Sequence, residues 1–151
     1  MLVSPDESLM REALRLAGEG ASAEEVPVGA VVAIGGEIIG RGSNSPIGQC
    51  DPTAHAEILA LREAARRLGN YRLEGATLCS TLEPCVMCAG ALLAARVDRL
   101  VFGARDLRFG GVRSKFRIAD SEILNHTVEV VEGVLAPECV ALLQNFFCRR
   151  R

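Results

Sequence analysis

A chain of 151 residues, 49% of them hydrophobic and 24% charged, has the length and balance of one globular domain. Such a chain buries roughly 68–70% of its unfolded surface, enough for one core without staples. A net charge of −2 does not announce a nucleic-acid partner, and no run approaches the roughly 18 apolar residues of a membrane span.

The opening MLVSPDESLM lacks the basic-then-apolar order of a secretory signal, so a soluble, cytosolic protein is expected. In that setting the cysteines Cys50, Cys79, Cys85, Cys88, Cys139 and Cys148 read as metal ligands, a reactive thiol or small buried side chains rather than disulfides.

SPDESLMREALRLAGEG starts a helix. Ser4 is the N-cap, Pro5 takes the first position and Glu7 closes a capping box. Leu9, Met10, Ala13, Leu14 and Ala17 recur at helical spacing, with Gly18 and Gly20 as the stop. VGAVVAI (28–34) is a buried strand, and Gly35-Gly36 turns it into EIIGRGSN as a hairpin. Residues 44–53 read as a loop. A helix follows from about Ala54 to Leu68, with Thr53 as N-cap, Ile58, Leu61, Ala65 and Leu68 inward, and Gly69 as stop.

ATLCSTL (76–82) is a strand, and PCVMCAGALLAA (84–95) a helix led by proline. DRLVFGA (98–104) and TVEVVEG (127–133) are strands, and PECVALLQNFFCRR (137–150) is the closing helix. Only the first two strands are joined tightly enough to be antiparallel neighbours; the longer connections favour parallel pairing. The expected fold is a three-layer α/β/α domain with a mixed five-stranded sheet, one domain over residues 1–151.

Charge is unevenly spread. Residues 1–25 hold two arginines against six carboxylates, residues 105–117 hold five basic side chains against Asp106, and the chain ends Arg149, Arg150, Arg151. Sixteen of the 17 basic residues are arginine, which fits either a GC-rich genome or a surface that meets phosphates and bases.

PCVMC sets Cys85 and Cys88 three apart at the first turn of a helix, where both sulfurs face one way and the helix N-terminus favours thiolate. A buried pair and a redox pair are the alternatives. His55, one of two histidines, also opens a helix, and a wound sheet gathers helix N-termini at the carboxyl ends of its strands. If the two helices are neighbours, one imidazole and two thiolates make a zinc set with a fourth position open. Glu57, two residues on, then faces that position as proton shuttle.

H-x-E followed by P-C-x-x-C is the signature of the zinc nucleobase deaminases. The chain resembles the bacterial tRNA-specific adenosine deaminases of the cytidine deaminase-like superfamily over nearly its whole length. The resemblance is carried by EVPVGAVV (25–32), NSPIGQCDPTAHAEILALR (44–62), NYRLEGATL (70–78), TLEPCVMCAGALL (81–93), VFGARD (101–106) and the closing FF with its basic tail. It implies one Zn²⁺ per subunit on His55, Cys85 and Cys88, and Glu57 as the catalytic acid–base. It implies hydrolysis of the wobble adenosine of an arginine tRNA anticodon stem-loop to inosine, in a cytoplasmic homodimer.

By the same resemblance Asn44 contacts the target nucleotide. Val26, Pro27 and Val28 form an apolar wall, and the Ala56 N–H bonds the substrate. Phe147, Arg149 and Arg150 meet the RNA, while Phe146 falls in register with core leucines. Residues 107–117 depart from the family pattern. Cys50 is not expected among the ligands, and Cys79, Cys139 and Cys148 carry no assigned chemistry. A deaminase of guanine or cytosine compounds, or a non-catalytic zinc module that binds RNA, shares the same core motifs.

Overall fold

The computed structural model describes residues 2–150. Helix α1 (Pro5–Ser22) begins as read, with Ser4 Oγ accepting from the Glu7 N–H at 3.2 Å. It runs past Gly18 and Gly20, because Gly20 is a buried contact rather than a stop; a Cβ there would lie 2.7 Å from Ser43 Oγ.

Strands β1 (Gly29–Ile34) and β2 (Glu37–Ser43) form the hairpin. A short helix α2 (Pro46–Gln49) then occupies part of the expected loop. Helix α3 (Ala56–Leu68), strand β3 (Ala76–Leu82), helix α4 (Val86–Ala94), strand β4 (Arg99–Ala104), strand β5 (Glu129–Glu132) and helix α5 (Ala136–Cys148) complete the order.

The sheet order is β2-β1-β3-β4-β5. β3, β4 and β5 are parallel as expected, but β1 and β3 are antiparallel neighbours. The reason is the crossover through α3: it leaves β2, passes over β1 and sets β3 on β1's far side. β3 therefore runs in the sense of β2, and the strand between them opposes both.

Period-two alternation sorts the strand residues into two cores. Val31, Cys79 and Val101 face α1 and α5, meeting Met10, Ala13 and Cys139. Ala30, Val32, Leu78, Leu100 and Phe102 face α3 and α4, meeting Ala60, Ala64, Ala89 and Leu92. Val112, Ala119 and Val128, from the long β4–β5 connection and the segment leading into β5, close the second core from below.

The inward face of α3 differs from the expected one. Ala56, Glu57, Ala60, Leu61 and Ala64 are buried, whereas Leu68 is 48% exposed and Ile58 and Ala65 are only half-buried. Glycines in β2 cause the shift. A Cβ on Gly42 would sit 2.1 Å from the Ala56 carbonyl, and one on Gly40 would sit 2.2 Å from that of Ala60. The helix backbone lies directly on the strand, which only its alanine face permits, and that face carries Glu57 inward.

Candidate active site

His55 and Cys85 each occupy the residue just before a helix, α3 and α4 respectively, in extended backbone. Thr53, expected as the cap of α3, instead directs its N–H and hydroxyl to Asp51 Oδ1, both at 2.8 Å. Neither His55 nor Cys85 spends its side chain on capping, so both are free to face a common point. Cys88, on the first turn of α4, is fully buried beside them.

The three candidate donor atoms lie within 4.8 Å of one another. His55 Nδ1 is 3.6 Å from Cys85 Sγ and 3.5 Å from Cys88 Sγ. A tetrahedral zinc with Zn–S of about 2.3 Å and Zn–N of about 2.0–2.1 Å has S···N edges of about 3.5–3.6 Å. The residues present therefore fit the ion in kind and in spacing. Cys50, exposed and at a left-handed backbone position, stands outside the group.

The three donors hold their protons unequally. Hydrogen bonding from Cys88 holds the Cys85 thiol down at about 4, with His55 helping, and its bond to Cys85 pushes Cys88 up. The bond to Cys85 raises His55. Burial pushes the Glu57 carboxyl up to about 7.

His55, Glu57 and Cys85 form the floor of a cavity of about 450 Å³. Val26, Val28 and Leu82 give it apolar walls, and Asn44 stands at its side. Asn44 Nδ2 donates to the Val26 carbonyl at 3.3 Å, which leaves its Oδ1 to accept from a ligand. Ala56, fully buried, opens α3, so its N–H is one of those a helix leaves without an internal partner. Pro27 lies between two wall residues. The carboxylate of Glu25, 4% exposed, accepts the Gly48 N–H at 2.7 Å and the Ile47 N–H at 3.2 Å, tying α2 down beside Asn44.

Four lining residues carry no role from sequence alone: Leu82, Glu83, Asp106 and Phe109. Glu83 immediately precedes Pro84-Cys85, which was its only sequence signal. Phe147, Arg149 and Arg150 are not among the residues that line this cavity. Phe147 and Arg150 border a separate groove of about 940 Å³ with Arg105 and Arg108, and Arg149 borders a recess against α1. Arg150 pairs with Glu24 and places its guanidinium 4.2 Å from the Phe146 ring centroid. That leaves Phe146 half-buried outside both cores, not in the core as expected. Arg151 lies outside the described residues.

Residues 3–104 match the family model for the cytidine and deoxycytidylate deaminase zinc-binding region. The chain belongs to this zinc-binding deaminase family. Among its relatives, the tRNA-specific adenosine deaminase of Haemophilus influenzae is 53% identical over 97% of this deaminase and 85% of its own length. That of Bacillus subtilis is 46% identical over 96% and 90%. A solved structure from work on A-to-I editing by tRNA:A34 deaminases at the wobble position superposes with a TM-score of 0.87. It is 40% identical and covers 90% of this deaminase and 99% of that chain. A guanine deaminase from Nitrosomonas europaea shares the fold at a TM-score of 0.83 and 28% identity, covering 98% and 87%.

Proposed function

We propose that this deaminase converts adenosine to inosine at the wobble position of a tRNA anticodon stem-loop, with an arginine tRNA as substrate. The carrying observation is the convergence of His55 Nδ1, Cys85 Sγ and Cys88 Sγ at zinc edge lengths under a cavity whose floor holds Glu57. Relatives at 46–53% identity bear the adenosine name, against 28% for the guanine-acting neighbour, which favours adenosine over guanine.

His55, Cys85 and Cys88 would hold the metal. When bound, zinc supplies Lewis acidity that lowers the pKa of water toward about 7. Adenosine and water give inosine and ammonia: the water oxygen bonds to C6 and the C6–N6 bond breaks. Glu57 moves both protons: it takes one from the attacking water and delivers it to the ring nitrogen beside C6, then takes the other from the new C6 hydroxyl and passes it to the departing amine. Asn44 orients the nucleoside through its free Oδ1, the Ala56 N–H donates to the base, and Val26 and Val28 exclude water from its face. The target nucleotide must be splayed from its loop into the cavity, at a cost of a few kcal/mol.

The groove bordered by Arg105, Arg108, Phe147 and Arg150 supports the reading of an RNA-facing surface, its arginines suited to phosphate and Phe147 to stacking. A homodimer is part of the proposal. Its support is the apolar recess between α3 and α4, lined by Ile58, Leu61, Tyr71 and Ala91, beside exposed Val86 and Met87. Among the described residues no helix is long and apolar enough to cross a membrane, in keeping with cytoplasmic work on tRNA by a single domain. Mass-spectrometric detection of inosine in an arginine tRNA anticodon stem-loop, run against free nucleosides, tests the reading; activity on nucleosides alone would overturn it.

A further inference from the structure

Phe109 lines the same cavity as His55 and Glu57, yet it is 64% exposed. Packing gives no account of an aromatic ring left in water at the mouth of a polar-floored cavity. A mobile loop would lay such a ring against the nearby apolar wall, but this loop is fixed from beneath.

Glu83 is 1% exposed, and its carboxylate accepts five hydrogen bonds from the segment that carries Phe109. The Asp106 N–H reaches Oε1 at 3.0 Å, and those of Val112, Arg113 and Ser114 reach Oε2 at 3.1, 2.7 and 2.9 Å. The Ser114 hydroxyl donates to Oε1 at 2.5 Å.

Phe109 itself donates its N–H to Asp106 Oδ1 at 3.1 Å. The next residue, Gly110, packs so close that a Cβ would lie 2.4 Å from the Glu83 carboxyl group. The backbone on both sides of the ring is thus bolted to a buried anion. The Arg108 guanidinium lies 5.7 Å from the ring centroid, adding a cation beside the exposed apolar face.

A rigid, exposed aromatic with a guanidinium over one face and the other face open has the chemistry of a stacking platform for a nucleobase, because every base offers a π-face and the adjoining backbone offers phosphate. We propose that Phe109 stacks on the nucleotide directly flanking the one that enters the cavity. Glu83 is the positioning residue that holds the platform in place. The inference rests on the tRNA reading above and extends it to a residue that reads the neighbouring base.

The test uses the full chain, as wild type, Phe109→Ala and Phe109→Tyr, on a stem-loop RNA, with 2-aminopurine placed at either flanking position as fluorescent probe. Wild type and Phe109→Tyr are expected to quench the probe at one of the two positions. Phe109→Ala is expected to lose that quenching and to raise KM by about 5- to 150-fold while kcat stays within about twofold, the pattern of lost uniform binding. Because the ring is exposed, its thermal midpoint should match wild type.

Unchanged KM in Phe109→Ala, or no quenching at either position with active wild type, overturns the stacking role. Wild type that makes no inosine at all would instead remove the tRNA reading, and this inference with it, so the two failures are told apart by the wild-type control.

Discussion

Glu57 and Glu83 are buried to similar depth and end in opposite states. Burial pushes Glu57 up to about 7. Burial also works to raise Glu83, but the Ser114 hydroxyl and the N–H groups of Arg113, Ser114 and Asp106 outweigh it and hold that carboxyl low. One is equipped to exchange protons and the other is a fixed anion. Removing the exchanger should separate chemistry from metal binding. Glu57→Ala is expected to lower kcat by at least about 10²–10⁴-fold while metal analysis still finds one zinc per chain; Cys85→Ala should lose the zinc itself. Turnover retained in Glu57→Ala would reassign the proton carrier. The ligands were legible because side-chain type and helical spacing bring Cys85 and Cys88 together and one histidine precedes a helix. Glu83 was not legible, because its partners are main-chain N–H groups of a loop with no periodic pattern.

At the scale of elements, α3 decides where Glu57 points, and two glycines decide where α3 lies. The sequence shows the periodicity of this helix but misplaces its inner face, since Ile58 and Leu68 outweigh alanine in any apolar count. The close approach at Gly40 and Gly42 reverses that choice. Gly42→Ala would press a methyl against the Ala56 carbonyl. It should destabilise the fold by about 1–3 kcal/mol and reduce zinc affinity in the folded fraction, as urea titration and metal competition would show.

α1 is tied to β4 by Arg99, whose Nη1 and Nη2 each lie 2.8 Å from an Asp6 oxygen. The bond from Arg99 holds the Asp6 carboxyl below its ordinary value. The unfolded chain therefore binds that proton more tightly. The contribution of the pair is complete above the unfolded carboxylate value of about 3.9 and is lost as pH falls through the lower folded value. Arg99→Met should cost about 0.5–1 kcal/mol at neutral pH, after solvent screening, and progressively less in urea titrations below about pH 4.

For the whole molecule, strand order matters more than strand content. Every strand was visible as a β-branched or alternating run, and the five-stranded mixed sheet followed. The antiparallel β1–β3 pair did not, because a crossover fixes β3's direction against β2 and says nothing about which strand lies between. That order brings the entry of β1, the exits of β3 and β4, and the N-termini of α3 and α4 to one end of the sheet, where the cavity opens. Arg150 borders a separate groove and Arg149 a recess against α1, so the basic tail was readable only as charge and not as placement.

The central claim is that this end of the sheet deaminates adenosine held in a tRNA loop. Wild type loaded with zinc, incubated with an arginine tRNA anticodon stem-loop and digested for mass spectrometry, should convert the wobble adenosine to inosine. It should leave free adenosine unreacted, with conversion lost in Glu57→Ala. Inosine from free adenosine alone, or none from the stem-loop under conditions where zinc is bound, would contradict the account.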